Sequence, residues 1–362
     1  MRRFLIALLF FPLLVSKCYA LEAADIFGVG EAEAILPSDV RETAGGLEAD
    51  GSYDTHSAVI RLAKKAVNTL RDEWRGNIEL IVSMLSVAFA SALALALCEN
   101  STIKYYVNLI GVCSEALILL GGMDGLIRSI VDTMRRLSDY AKIAFPTVFT
   151  AAAISGAAVS APAKYGVVCL GLEILMDAAE KFIIPLVYAY IALSLSESIY
   201  KNAVTEAVKR FSKWAAVTLM TAITLSFSLI LSVSGAISGS ADALAVKTVR
   251  TVISGALPVI GGIASDAASA VLSAASMIRA SAGALGMAAV CAFCIGPFAK
   301  LLVRSLAFKA GSALCSSFAG GSIDMFLNDM GNASAMLMGL TGCECIMLFI
   351  SFTSAIKAVT SV

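Results

Sequence analysis

The stretch WAAVTLMTAITLSFSLILSVSGAI, residues 214–237, contains no charged side chain. A helix needs about 20 largely apolar residues to cross the hydrocarbon core of a bilayer, and this stretch is long enough to do so. In lipid every backbone polar group must be satisfied within the spanning structure, which a single helix achieves. The stretch therefore predicts a transmembrane α-helix.

Similar blocks recur along the whole chain of 362 residues. Hydrophobic residues make up 59% of the sequence, charged residues 15%, and the mean hydropathy is +0.85. Soluble domains carry about 25% charged residues, so the composition indicates an all-α polytopic membrane protein. The formal net charge is zero, which gives no electrostatic basis for binding nucleic acid.

The multi-span membrane domain is predicted to cover residues 77–362. Clear spans besides the first are expected at 78–98, 105–123, 143–161, 282–298 and 333–356. Residues 165–175 and 182–195 flank a charged run and form either one bent span or a tight hairpin of two. Two basic residues make the span at 301–318 marginal. About seven spans are therefore expected.

Residues 1–20 have the layout of a secretory signal peptide. Arg2 and Arg3 precede an apolar core of about 12 residues, which is shorter than a span. Cys18 and Ala20 place small residues before a potential cleavage site at Leu21. A cleaved signal peptide is favoured over an uncleaved anchor, and it puts residues 21–76 outside the cytoplasm.

Two segments outside the clear spans predict amphipathic helices. Residues 21–54 are acidic without periodicity and predict a flexible segment, but apolar residues recur at helical spacing in 57–75 between basic ones. Such a helix lies on a membrane surface, docks on a partner, or leads as a solvated helix into the first span. Residues 124–142 predict a second, interfacial helix whose apolar face consists of Leu126, Ile130, Met134 and Leu137.

Few residues are candidates for chemistry. His56 is the only histidine, and the chain has no nucleophile elbow, P-loop or dinucleotide fingerprint. We therefore predict no enzymatic activity and no cofactor. The pairs Cys291/Cys294 and Cys343/Cys345 lie in apolar segments and are interpreted as packing residues, because buried cysteine behaves as a small hydrophobe.

Carboxylates within apolar segments are the remaining candidates, because a charge at membrane depth is costly and marks pairing, protonation or a water-filled path. They are Glu115, Glu173, Asp177, Asp266 and Glu344. Glu173 and Asp177 are four residues apart and share one helix face, as proton- or cation-handling pairs do. The alternative is that this pair lies near the lipid headgroups, where the cost is small.

Asp266 has a distinctive setting in SGALPVIGGIASDAASAVL, residues 254–272. Pro258 interrupts a helix, and Gly261 and Gly262 loosen the turn that follows. A helix is expected to begin at about Ile263, with Asp266 in its first turns, where the helix dipole favours a negative charge. Transporters use such broken helices as binding sites, whereas the small residues that follow favour close helix packing with Asp266 bonded to a neighbour.

The longer stretch SGALPVIGGIASDAASAVLSAASMIRASAG, residues 254–283, resembles the C-terminal half of the stage III sporulation protein AE family. The matching features are Ala256-Leu257-Pro258, Ile260-Gly261, Ser265-Asp266 and Met277-Ile278, preceded by VKTVRTVISG. The wider layout of signal peptide, amphipathic N-terminal region and about seven spans agrees with the family. The number of cysteines does not.

The resemblance implies a multi-pass protein of the mother-cell membrane around the forespore. It implies a non-enzymatic subunit of a secretion-like channel complex, with other membrane subunits and the lipid bilayer as partners and a homo-oligomeric ring as one arrangement. The family has no catalytic residues to transfer. The alternative is a secondary transporter of a small solute or ion, with Asp266 or the Glu173/Asp177 pair as its coupling site.

Overall fold

The computed structural model describes residues 36–45, 54–256, 261–316 and 321–357, and at 39, 235–256, 261–275 and 277–279 it describes the backbone only. The described residues are helical with short turns and contain no strand, so the predicted all-α class is confirmed. The helices are α1 Ser38–Ala44, α2 Thr55–Gly76, α3 Ile78–Leu97, α4 Ser101–Ile154, α5 Ser160–Ala178, α6 Ile184–Ile199, α7 Ala203–Ala256, α8 Gly261–Cys315 and α9 Ile323–Lys357. The predicted signal peptide lies outside the described residues.

Three helices are far longer than a bilayer is thick. Helices α4 and α7 have 54 residues each and α8 has 55, which corresponds to about 80 Å against a hydrocarbon core of about 30 Å. Segments predicted as separate spans are therefore parts of one helix, 105–123 and most of 143–161 in α4, and 282–298 with most of 301–318 in α8. Six helical segments within the described residues are long and apolar enough to cross a membrane, compared with about seven expected.

The expected interfacial helix over 124–142 is the middle of α4. Its predicted apolar face is correct, since Ile130, Met134 and Leu137 are at most 1% exposed. That face packs inside the bundle and not on a membrane surface. The segment continues α4 without a break. The chain turns after α4 at Gly156, whose φ of 114° lies in the left-handed region that glycine tolerates.

The ambiguous region between 165 and 195 is one helical run with a local defect. A π-helical turn, Ala179–Ile183, joins α5 to α6. Pro185 follows in the first turn of α6 and has no N–H group to donate to the preceding turn. The extra residue of a π-turn absorbs such a mismatch while the helix continues.

The sequence predicted a flexible acidic segment over 21–54, but residues 38–44 of that segment form helix α1. Leu36, Val40 and Ala44 recur every four residues and are at most 2% exposed, because α1 docks on α8 and α2. The guanidinium of Arg61 donates hydrogen bonds to the carbonyl oxygens of Thr43 and Gly45 and so holds the end of α1. Three apolar residues in a short window gave too weak a periodicity to recognise.

Helix α2 matches the predicted amphipathic helix over 57–75. Asp54 caps it by accepting a hydrogen bond from the Ser57 backbone N–H at 3.2 Å, and the hydrogen bonds from Ser57 hold the pKa of Asp54 below its ordinary value. Helix α2 packs on α8, while Val59, Val67 and Trp74 remain exposed.

Helices α8 and α9 form the centre of the bundle. Gly283 and Gly286 on α8 leave space into which Ile356 and Phe352 of α9 fit directly. Phe352 is fully buried and its ring stacks on Phe145 of α4 at 4.6 Å. Small residues let membrane helices approach closely, so α8 and α9 pack in direct contact at these positions.

Candidate functional site

Six polar side chains meet between α6, α7 and α9 and form what we call the Lys209 network. They are Tyr190, Ser194, Glu197, Lys209, Asp329 and Asn332. The three charged members are almost inaccessible to solvent, with 7% of Glu197, 8% of Lys209 and 5% of Asp329 exposed. Charged groups are rarely buried unless they are paired, and the buried charges of the network are paired with one another.

Lys209 and Asp329 are the hubs of the network. The Lys209 Nζ atom lies 2.5 Å from Glu197 Oε2 and 2.6 Å from Asp329 Oδ2. Asp329 also accepts hydrogen bonds from the Tyr190 hydroxyl at 2.7 Å and the Ser194 hydroxyl at 2.8 Å. Both oxygens of the Asp329 carboxylate are therefore engaged.

The local sequence explains how the three helices supply these groups. Tyr190, Ser194 and Glu197 follow one another at helical spacing and lie on one face of α6. The chain reverses at residues 200–202, so Lys209 comes back along α6 at the height of Glu197. Asp329 in the second turn of α9 meets both helices from the other side.

One cation between two carboxylates holds the helices that carry them together. A buried ion pair requires precise geometry, and removing one of its partners strongly destabilises the folded state. The network fixes the relative height of α6, α7 and α9 at the end of the bundle where α6 turns into α7. Its net charge is negative by one when all three groups are ionised.

Glu115 and Glu344 are fully buried. Neither carboxylate has a hydrogen-bond partner among the described residues. Glu115 lies within electrostatic range of Cys315, as does Asp324. Glu115 and Glu344 therefore remain candidates for a functional role, which stays a prediction.

Glu173 and Asp177 lie on the exposed surface of α5. Asp177 pairs with Lys181 at 2.7 Å, and the neighbouring Glu180 pairs with Arg135 of α4 at 2.9 Å. The two predicted carboxylates thus share a face, but that face is lined with counter-charges.

The predicted helix break around Pro258 falls between Ala256 of α7 and Gly261 of α8, in residues that the structure does not describe. Gly261, Gly262 and Asp266 belong to the described part of α8. The side chain of Asp266 lies outside the described residues, so the break and the role of the motif stay predictions.

Two of the cysteines do more than pack. Cys294 of α8 and Cys345 of α9 form a disulfide, which corrects the interpretation of both as packing residues only. Cys291 and Cys343 are free thiols. Among the described residues no group of three or more His, Cys, Asp or Glu side chains is arranged to hold a metal ion.

Sequence reasoning missed the Lys209 network. Asp329 lies just before the predicted span 333–356, and Lys209 lies just before the predicted span 214–237. The spacing of Tyr190, Ser194 and Glu197 was a usable signal, since it places three polar groups on one face of a predicted span. Their partners come from elements distant in sequence.

Comparison with known proteins gives one consistent result. The family model for stage III sporulation protein AE matches residues 49–359. The chain is similar to the stage III sporulation protein AE of Bacillus subtilis (strain 168), with 22% identity over 262 residues, which cover 72% of this chain and 65% of that protein. The match thus spans slightly less than two thirds of the relative. No solved structure matches the chain significantly.

Proposed function

Because the chain belongs to the stage III sporulation protein AE family, we propose that it is a non-enzymatic membrane subunit of a channel complex between mother cell and forespore. In this proposal it lies in the mother-cell membrane around the forespore and assembles with the other membrane subunits of the complex. It acts through assembly, as a homo-oligomeric ring, and not through covalent chemistry.

The observation that carries the proposal is a line of charges on the outside of the bundle, which we call the polar strip. Its side chains are between 39% and 80% exposed. It consists of Asp124, Arg128, Asp132, Arg135, Arg136, Asp139 and Lys142 on α4, and Asp177, Glu180 and Lys181 beside and within the π-turn. The charges form ion pairs with one another.

The outer face of α7 has the opposite character. Trp214, Leu225 and Leu229 are 59–66% exposed and are typical of a lipid-facing surface. This face lies at the same height as part of the polar strip. Gly171 of α5 contacts Phe227 of α7, and Tyr190 of α6 shares Asp329 with Lys209 of α7.

Residues 177–181 lie along the chain between Gly171, which contacts Phe227 of α7, and Tyr190, which lies near Lys209 of α7. They therefore lie beside the middle of the apolar face of α7. A charged side chain at the centre of a bilayer costs about 3 kcal/mol on insertion scales, so lipid cannot cover both faces at one depth. The proposal puts α7 against lipid and the polar strip against the water-containing interior of an assembly.

Making the polar strip apolar is expected to abolish function in the sporulating bacterium that carries this chain. The variant has leucine in place of Asp132, Arg135, Arg136 and Glu180, which removes two complete ion pairs. Exposed pairs contribute only about 0–1 kcal/mol each to stability, so the protein should still insert into the membrane. We expect loss of most heat-resistant spores, measured by plating after heat treatment.

The matched control has asparagine or glutamine at the same four positions. It lacks the charges but keeps a polar surface, so it should form spores nearly as the wild type does. Normal sporulation with the leucine variant would contradict the proposal.

Water should reach the polar strip but not the outer face of α7. We expect Arg128→Cys and Asp139→Cys to react with a membrane-impermeant maleimide in membranes of sporulating cells, above the background of the native thiols. Leu225→Cys and Leu229→Cys should stay unlabelled, because thiolate chemistry needs water. Equal labelling of both faces, or labelling of α7 alone, would show that the assignment of the two faces is wrong.

A further inference from the structure

A cleft lies where the junction of α2 and α3 meets α4 and α8. Its volume is about 260 Å³ and its charged lining residues are Glu73, Lys300 and Arg304. Two basic groups and one acidic group leave the cleft with a net charge of plus one. Clefts for drug-sized ligands span roughly 300–1,000 Å³, so this one suits a small anionic group.

Arg304 is set up to bind an anion. Its Nη1 donates a hydrogen bond to the carbonyl oxygen of Gly122 at 2.7 Å, which orients the guanidinium and leaves most of its N–H donors available. Lys300 lies one helical turn before Arg304 on the same face of α8. The pair of an oriented guanidinium and a mobile ammonium is typical of phosphate binding.

The floor of the cleft is glycine. A side chain at Gly125 would meet no atom within 4 Å of its Cβ. The Ser129 side chain lies one turn further along α4 and also lines the cleft. A ligand can therefore reach the basic groups along the α4 backbone without steric hindrance.

The cleft lies where apolar surface changes to polar surface. Helix α3 begins at Ile78, which is 48% exposed, directly after Asn77 in the cleft wall. On α4 the apolar stretch up to Met123 ends at Asp124, the first residue of the polar strip. Phospholipid phosphates lie where the apolar interior of a bilayer meets water, and basic pockets between membrane helices bind such headgroups.

We infer that this cleft binds the phosphodiester group of an anionic phospholipid, with Lys300 and Arg304 contacting the phosphate. Glu73 lines the same cleft within electrostatic range of Arg304 and can accept hydrogen bonds from the hydroxyl groups of a glycerol headgroup. Binding would join the start of α3, the middle of α4 and α8. This inference does not depend on the proposed channel function.

The test uses the full-length protein in nanodiscs of phosphatidylcholine with or without phosphatidylglycerol. Phosphatidylglycerol should raise the melting temperature of the wild type, because a ligand that binds only the folded state stabilises it. Lys300→Gln should lose most of this shift. Lys104→Gln changes an exposed lysine near the start of α4, outside the cleft lining, and should keep the shift.

Gly125→Leu separates binding from folding. Its side chain fills the cleft without removing a charge, and replacing glycine by leucine favours the helix, so stability in pure phosphatidylcholine should not fall. The phosphatidylglycerol shift should nevertheless disappear. If phosphatidylglycerol raised the melting temperature of Lys300→Gln and of Gly125→Leu as much as that of the wild type, the inference would be overturned.

A soluble anion is the other source of the same chemistry. Inorganic phosphate added to phosphatidylcholine nanodiscs should have the same effect on the melting temperature of the wild type as on that of Lys300→Gln. If phosphate alone reproduces the Lys300-dependent shift, a lipid is not the ligand and that part of the inference is overturned.

Discussion

Lys209→Met is expected to prevent stable accumulation of the protein in the membrane. The change leaves Glu197 and Asp329 facing each other without a cation, and both are more than 90% buried. Removing one partner of a buried ion pair costs about 3–5 kcal/mol, which is comparable to much of the stability of an ordinary domain. The measurement is the amount of full-length protein in membranes and its melting temperature in detergent.

Arg210→Met is the matched control, one residue further along α7. The Arg210 side chain is 71% exposed and its nearest carboxylate oxygen, on Glu206, is 3.5 Å away. Such an exposed pair contributes about 0–1 kcal/mol, so accumulation should stay near that of the wild type.

A compensated variant separates charge from packing. Glu197→Gln, Lys209→Met and Asp329→Asn together remove all three charges but keep similar side-chain volumes. Replacing a whole buried ion network by neutral groups is often far less harmful than breaking it. The triple variant should therefore accumulate better than Lys209→Met, and equal loss in both would show that the charges do not account for the effect.

Gly286→Leu is expected to be the most damaging change in the apolar core. A Cβ at Gly286 would lie 2.5 Å from Phe352 Cζ and 2.8 Å from Phe352 Cδ1. The ring cannot move aside, because it is fully buried and stacked on Phe145. Overpacking of this kind costs about 3 kcal/mol, and it should separate α8 from α9 and lower the melting temperature.

Gly296→Leu makes the same change in the same helix as a control. No atom lies within 4 Å of the Cβ position at Gly296. Leucine is a better helix former than glycine by somewhat less than about 1 kcal/mol, so this variant should be as stable as the wild type or slightly more so. A similar loss in both variants would mean that close packing at Gly286 is not the cause.

The channel role and the phospholipid site are tested by independent measurements. The channel role is tested by spore formation and by the access of water to the polar strip. The phospholipid site is tested by melting in defined lipid. Failure of one experiment therefore leaves the other interpretable.

Much of the architecture follows from local sequence alone. The uncharged stretch 214–237 is long enough to cross a bilayer as a helix, which satisfies its backbone hydrogen bonds within one segment. The family was recognisable from residues 254–283, which the match over 49–359 confirmed.

What the tertiary structure decided depends on partners distant in the chain. Residues 124–142 look interfacial by themselves, and only packing against the other helices shows that α4 runs through them without a break. Val40 and Ala44 belong to a helix, α1, whose buried side α8 and α2 cover. Lys209 becomes a buried hub because α9 brings Asp329 to it. Periodicity and hydropathy describe what one segment can bury, whereas the cost of a charge is set by the groups that surround it.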